Sequence, residues 1–304
     1  MTARLTHKAA FSDFSGFPIF FTLFERSSML KTSLLFPLCV LACTAPAFAQ
    51  SLQSSQDGAV AAAPLQASAE PIRNLELSTG AQSLTGGYGN WNDITLRGAY
   101  GMSRHVFQAE ASVQRRFNED GAFVGLGDTY TFNDDWYASL AVGAGDGAFY
   151  LPRYRADATL YRKFLPNRNL VSNVGIGYYK APDGHSDRSV SVGAAYYFEA
   201  PWIIEGGVRF NSSNPGSVRT QQQFAAVTYG RDKQDLVTAR YAWGGEGYLA
   251  TGPNTQLVNF DSREASLAWR HWFNPRTGVL VGANRYSNPL YRRTGVTVGI
   301  FHSF

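Results

Sequence analysis

Beyond its first 49 residues the chain carries four histidines, His105, His185, His271 and His302. Histidine is the side chain best suited to moving a proton near neutral pH. A serine nucleophile would need one of them to take the Ser proton, and a polar residue to orient that His. His185-Ser186 falls in a stretch that reads as a loop. His302-Ser303 are neighbours on a strand, where successive side chains point to opposite faces. Neither has the His-x-Ser-Asn spacing that would set both groups on one strand face. Asn284-Arg285-Tyr286-Ser287-Asn288 offers a serine between asparagines but no histidine. No catalytic residue is assigned on this pattern.

Metal and phosphate chemistry find little to work with. The histidines are dispersed, and the acidic pair Asp134-Asp135 sits in a turn, so no metal-ligand spacing exists and no cofactor is expected. Gly143-Ala144-Gly145-Asp146-Gly147 would need a following helix to cradle a phosphate, and it reads as a strand running into a loop. What remains is a set of charges on one face of alternating segments: Asp93, Arg97, Glu110, Arg116, Arg155, Asp157, Lys163, Glu205, Arg209, Arg240, Glu264 and Arg270. Seven are basic and five acidic. Such a set could line a weakly anion-preferring pore or a polar binding cleft; the plainer reading is a lumen crossed by ion-paired side chains. Asp128 disobeys the pattern, falling on the apolar face between Leu126 and Tyr130. A bulge, a shifted face or a position near lipid headgroups would each account for it.

The elements that position these charges alternate with a period of two from Ile72 onward. Trp136, Ala138, Leu140 and Val142 share one face; so do Val190, Val192, Ala194, Tyr196 and Phe198. Aromatic residues close every second segment, at Tyr100, Phe132, Phe164, Phe198, Tyr229, Phe273 and Phe304, in steps of 32, 32, 34, 31, 44 and 31 residues. Short turns follow the first six, and two of these lead straight into Trp136 and Trp202. One such step holds two strands of roughly 10 residues, a tight turn and a longer loop, which is a transmembrane hairpin. The nine aromatics at the tight-turn side then form a periplasmic girdle. Longer connections are expected at Leu84 to Asn90, Asp146 to Pro152, Pro182 to Asp187, Ser212 to Ser217 and, longest, Gly244 to Asp261. The fold class is all-β: an antiparallel transmembrane barrel over 72–304, of 14 strands, or of 12 if the first hairpin and the weakly alternating 218–229 segment do not pair.

Composition agrees. Among 304 residues, 30 are Gly, 16 Tyr and 21 Phe, and only 16% are charged, with a mildly negative mean hydropathy. No run of eighteen apolar residues occurs, so spanning helices are not expected. Met29-Leu30-Lys31, an apolar core from Leu34 and the small-residue end Ala47-Phe48-Ala49 read as a signal peptide at 29–49. Residues 1–28 fit poorly in front of it and read as an upstream extension, with synthesis starting at Met29. Val40-Leu41-Ala42-Cys43 leaves open a lipoprotein cleavage site, although Leu41 is unusual there. Cleavage after Ala49 removes both cysteines, Cys39 and Cys43, and lowers the formal net charge from +4 to +2, too little for a nucleic-acid footprint. Residues 50–71, Ala-rich and without an aromatic, read as a flexible periplasmic leader.

The last segment sets Val296, Val298, Ile300 and Phe304 on one face and stops on the aromatic. This ending resembles the β-signal read by the barrel-assembly machinery, with His302 where Tyr is common. Tyr150-Leu151-Pro152-Arg153-Tyr154-Arg155-Ala156-Asp157, running on to Tyr161-Arg162-Lys163-Phe164, resembles the middle of the YaiO-type outer-membrane barrel domain. The Asn-Asp-Asp-Trp turn before it and Arg270-His271-Trp272-Phe273 late in the chain are similar too. The resemblance spans about 72–304 and implies an outer-membrane barrel of a Gram-negative cell, with no established activity. The expected function is a narrow or plugged conduit, or a surface-binding scaffold for a saccharide. The alternative is an outer-membrane enzyme acting on lipid or lipopolysaccharide. Expected partners are outer-membrane lipids and lipopolysaccharide, the assembly machinery and periplasmic chaperones, and no nucleic acid.

Overall fold

The structure, a computed structural model, describes residues 72–304. The signal-peptide segment, Cys43, the start at Met29 and the leader at 50–71 lie outside the described residues. Fourteen strands follow in order: β1 Arg73–Leu84, β2 Trp91–Met102, β3 His105–Arg116, β4 Glu119–Thr131, β5 Trp136–Gly145, β6 Tyr154–Phe164, β7 Leu170–Lys180, β8 Ser186–Tyr197, β9 Trp202–Asn214, β10 Val218–Gly230, β11 Asp235–Gly252, β12 Thr255–Asn274, β13 Thr277–Ser287 and β14 Arg292–Ser303. Each pairs antiparallel with its sequence neighbours. β14 returns to pair β1 from Asn74 opposite Ser303 to Leu84 opposite Arg293, and the barrel closes. The first hairpin and the 218–229 segment pair along their length, so the count is fourteen and not twelve.

The alternation read from the sequence is the alternation of the two barrel faces, but turned inside out relative to a soluble protein. Leu75, Leu77, Ile94, Leu96, Val124, Leu126, Leu140 and Ile176 are exposed on the outer face. Glu76, Ser78, Thr95, Ser112, Gln114 and Arg116 between them are buried in the interior. Water would penalise such a surface; hydrocarbon does not, and closure leaves no strand edge unpaired within it. No helix among the described residues is long and apolar enough to cross a membrane.

The connections at one end are short turns: 103–104, 132–135, 165–169, 198–201, 231–234 and 275–276. The other end departs from the sequence reading. The expected loop from Gly244 to Asp261 is strand almost throughout, because β11 and β12 run on past their outer neighbours and meet at 253–254. Glu246, Tyr248, Ala250, Phe260 and Ser262 keep the inward period of two there. The 44-residue step therefore comes from taller strands and not from a long loop. The connection expected at 212–217 shrinks to 215–217, and 117–118 also join their strands directly.

Apolar layers fill the interior towards both ends. Near the turns, Tyr137, Tyr161, Val171, Ala195 and Tyr197 form one cluster, with Leu236, Trp272 and Phe301 in another. At the loop end, 146–153 folds inward: Leu151 and Tyr150 pack with Phe123 and Tyr179. Gly121 makes this possible. A Cβ there would lie 2.7 Å from the Tyr150 hydroxyl and 2.8 Å from Ala148 Cβ, closer than side chains allow. Leu84, Trp91, Tyr286 and Tyr291 make the second loop-end cluster, joined by Tyr88, Phe117 and Leu249.

Candidate functional site

All twelve charges singled out in the sequence face inward, on strands whose outward partners are apolar or small. Many of them pair. Arg97 Nε donates to Glu110 Oε2 at 2.7 Å across the β2–β3 ladder, and Arg97 Nη1 reaches Glu76 Oε1 at 3.3 Å. The other Glu76 oxygen accepts from Arg270 Nη1 at 2.7 Å, which bridges β1 to β12 over two intervening strands. Arg155 Nε lies 3.2 Å from Asp157 Oδ2, and Arg293 Nη2 lies 3.4 Å from Glu264 Oε1. Arg209 donates to Ser189 Oγ at 2.9 Å. Arg240 stacks over Phe224 at 4.4 Å, Lys163 sits 5.8 Å from the Tyr137 ring, and Glu205 is buried beside the Tyr137 and Tyr197 cluster. Guanidinium groups tolerate this interior because they stack on rings as well as fork onto carboxylates.

Several inward polar residues went unrecognised in the sequence. Glu76 lies between outward Leu75 and Leu77, and Arg293 continues the odd-numbered inward face of β14; extending the alternation to the strand ends would have found both. Glu246 and Asp187 were assigned to loops. Adding Arg293 to the basic side and Glu76, Glu119, Asp187 and Glu246 to the acidic side removes the basic excess. The anion bias read from the sequence thus disappears from the lumen as a whole.

At the loop end three segments meet over the lumen. His185, in the 181–185 connection, places Nε2 2.9 Å from Asp187 Oδ1 and stacks on Tyr248 of β11, with ring centroids 3.6 Å apart. Tyr248 also hydrogen-bonds Asp183. On the same β11–β12 hairpin, Glu246 Oε1 accepts from Tyr286 at 2.9 Å, and Leu249 joins the Trp91 cluster. The hairpin at 245–262 therefore reaches both sides of the mouth. Beneath it the Tyr150 hydroxyl donates to the Gln114 carbonyl at 3.0 Å, and burial pushes that hydroxyl up to about 12. Burial likewise raises the Tyr291 hydroxyl, against the pull of Arg293. At the turn end burial raises the Asp232 carboxyl, opposed by Lys233 and Arg270.

The histidines do not gather. His105, His271 and His302 lie on the outer face near the turns, while His185 is inside at the opposite end. Asp187 faces Ser213 in the β8–β9 ladder, but the Ser213 hydroxyl accepts from Asn211 at 3.0 Å and His185 Nδ1 has no partner. Asp128 is explained: β3 and β4 stay in continuous register through it, and its Oδ2 lies 2.7 Å from His105 Nδ1. It is three residues from the turn-end limit of β4, so neither a bulge nor a shifted face is involved. Among the described residues no three or more His, Cys, Asp or Glu are placed to hold a metal ion.

The model of the YaiO membrane β-barrel domain matches residues 72–249, more than half of the chain. The chain belongs to that family. The match begins at the residue before β1 and ends inside the tall hairpin, short of the expected 304; β12, β13 and β14 complete the same barrel. Comparison with curated proteins finds no match. Among solved structures, the YaiO-family barrel is similar to the CymD monoaromatic hydrocarbon channel, at 8% identity and a TM-score of 0.52, over 77% of this chain and 88% of that one. The translocator domain of the autotransporter NalP from Neisseria meningitidis aligns at 12% identity, over 79% and 91%, with a TM-score of 0.46. The anion-selective porin from Comamonas acidovorans aligns at 10% identity, over 77% and 99%, with a TM-score of 0.43. At such identities the likeness is one of fold. The chain is an outer-membrane β-barrel of the YaiO type.

The nine aromatics expected as a girdle all lie at the turn end. Tyr100, Phe132, Phe198, Trp202, Tyr229, Phe273 and Phe304 are exposed there, and Trp136 and Phe164 are half-buried under the outward Arg162, which stacks on both rings. Val296, Val298 and Ile300 occupy the outer face of β14, and exposed Phe304 follows its last residue.

Proposed function

We propose that this YaiO-family barrel is a non-catalytic conduit, narrow at rest, with its outer mouth covered by the β11–β12 hairpin and loop 146–153. The observation that carries this reading is the Tyr248 and Glu246 pair of contacts, which ties the hairpin to His185 on one rim and to Tyr286 on the other. The near balance of inward charge favours passage of small polar solutes of either sign over a strongly selective ion pore. Export through a cleaved signal peptide is supported by the Leu34 to Ala49 run. The exposed aromatic belt supports contact with outer-membrane lipid and lipopolysaccharide, and the β14 face supports recognition by the assembly machinery after delivery by periplasmic chaperones. Single-channel recording of the purified, folded protein in planar bilayers tests the conduit. Small, discrete conductance steps in potassium chloride are expected; silence across all solutes would overturn it in favour of a surface-binding scaffold.

A further inference from the structure

We infer that the outer wall at the loop end binds the phosphate of a phosphorylated glycolipid, lipid A, through Arg263, Arg285 and Arg292. The three belong to neighbouring strands and all are exposed on the outer face, next to the buried inward residues Ser262, Tyr286 and Arg293. Ser287 of β13 stands opposite Arg263 on one side and Arg292 on the other. Arg285, two residues along β13 on the same face, stands opposite Thr294. Strand spacing puts the Cα atoms of Arg263 and Arg292 roughly 10 Å apart, with Arg285 about 7 Å from Ser287 between them. Three long side chains so placed can close on one group from three sides.

Other charges on the outer face carry their own partners. Arg115 pairs with Asp120 at 2.8 Å, His271 with Asp235 at 2.9 Å, and Arg162 lies over two rings. Among the described residues Arg263, Arg285 and Arg292 form no ion pair, and the one carboxylate on the outward face of β12, β13 and β14 is Asp261. Three cations against one acid leave an excess of two positive charges. Towards the turns the same face becomes apolar at Leu267, Val281, Val296 and Val298. Trp243, opposite Arg263, is exposed and stacks on Tyr241 with centroids 5.5 Å apart. Such rings sit at headgroup level, where a lipid-facing arginine is tolerated as it is not at the midplane. A phosphomonoester carries close to two negative charges and offers three acceptor oxygens, which matches the excess. A phosphodiester headgroup carries only one charge. The guanidinium forks suit the phosphate, the Ser287 and Thr294 hydroxyls lie between them, and acyl chains would run down the apolar face below. Arg188 and Arg219 flank Ser212 in the same way across β8, β9 and β10, but no third arginine joins them. Lipid A belongs to the outer leaflet, so the site rests on the proposed reading in which the hairpin end faces outward.

Native mass spectrometry of the full chain, refolded in detergent free of lipopolysaccharide, tests it by titration with lipid A, dephosphorylated lipid A and phosphatidylglycerol. Lipid A is expected to saturate, with the other two at least ten-fold weaker. Arg263→Gln with Arg292→Gln should weaken lipid A ten-fold or more. Arg188→Gln with Arg219→Gln removes the same charge at the same end and should leave the affinity unchanged. Equal binding of the dephosphorylated lipid would reduce the contact to acyl chains and overturn the site. Phosphatidylglycerol binding as tightly as lipid A would overturn the glycolipid, and equal loss in both double variants would replace the site with diffuse charge. Should the first double variant give no heat-modifiable barrel, Arg285→Gln alone should weaken lipid A at least three-fold; unaltered affinity there would count against the assignment. Labelling of a tag inserted between Pro253 and Asn254 on intact cells checks the orientation separately. Conductance without lipid A binding would remove this inference alone, and binding without conductance would remove only the conduit.

Discussion

At the scale of the residue, the interior depends on a few carboxylates serving more than one arginine. Glu76 is the plainest case, since one oxygen serves Arg97 and the other Arg270. Removing it does not treat the two arginines alike. Arg97 keeps its 2.7 Å bond to Glu110. Arg270, with Nε and Nη2 already unpartnered and buried against Phe301 at 4.1 Å, loses its carboxylate. Breaking a buried pair from one side costs roughly 3–5 kcal/mol, because the surviving charge is stranded. Glu76→Ala should therefore lower the unfolding free energy of the barrel by an amount in that range, read from its urea unfolding curve. Adding Arg270→Met should restore most of it, as an apolar side chain on Phe301 and Trp272 strands no charge. Equal loss in the single and double variants would show that Arg270 was not the residue left unpaired. The Glu76–Arg270 pair was beyond reach from the sequence. Alternation gives a residue's face, but which strands' inward side chains meet over two intervening strands depends on barrel curvature and stagger.

At the scale of the element, alternation carried most of the fold, and composition misled where it was trusted over alternation. Gly244, Gly245, Gly247 and the Gly252-Pro253-Asn254 tip read as a loop because glycine and proline punctuate chains. Yet Glu246, Tyr248 and Ala250 keep an inward step of two through the same stretch. The glycine at 247 has a packing reason instead: a side chain there would run into Ser213 of β9. Past Gly244 and before Ser262 the two arms pair only with each other among the strand ladders. The barrel wall should accordingly survive their removal. Replacing 247–259 with Asn-Gly, a pair suited to a two-residue hairpin turn, keeps Glu246 opposite Phe260. It removes the Tyr248 stack on His185 and the Leu249 contact. The shortened protein should fold to a normal heat-modifiable barrel and show at least a two-fold larger single-channel conductance than the full chain. Unchanged conductance would mean that loop 146–153, held close by Gly121, sets the constriction by itself.

At the scale of the whole molecule, the barrel is held by its seam as much as by any contact inside it. Fourteen strands close only because β14 pairs β13 on one side and β1 on the other, so the chain's last strand is interior to the sheet and never an edge. In hydrocarbon an unpaired edge has no water to satisfy it, so closure is a condition of insertion. The seam reaches the final residue: the Phe304 amide donates to the Arg73 carbonyl at 2.9 Å and the Ser303 amide to Arg276 at 2.7 Å. Two lesions should then separate recognition from closure. Deleting Phe304 removes one terminal bond and an exposed ring at the turn end, while the register from Asn74 to Leu84 is untouched. It should lower the yield of heat-modifiable protein in cells but leave barrel refolded in detergent with a near-normal urea midpoint. Val298→Pro removes a ladder donor in the middle of the seam, where Val298 faces Thr79 and Val281, and proline is not tolerated in a central strand. It should abolish folding both in cells and in detergent. Equal behaviour of the two variants in detergent would contradict this division, because it would make Phe304 part of closure itself and not of the signal that precedes it.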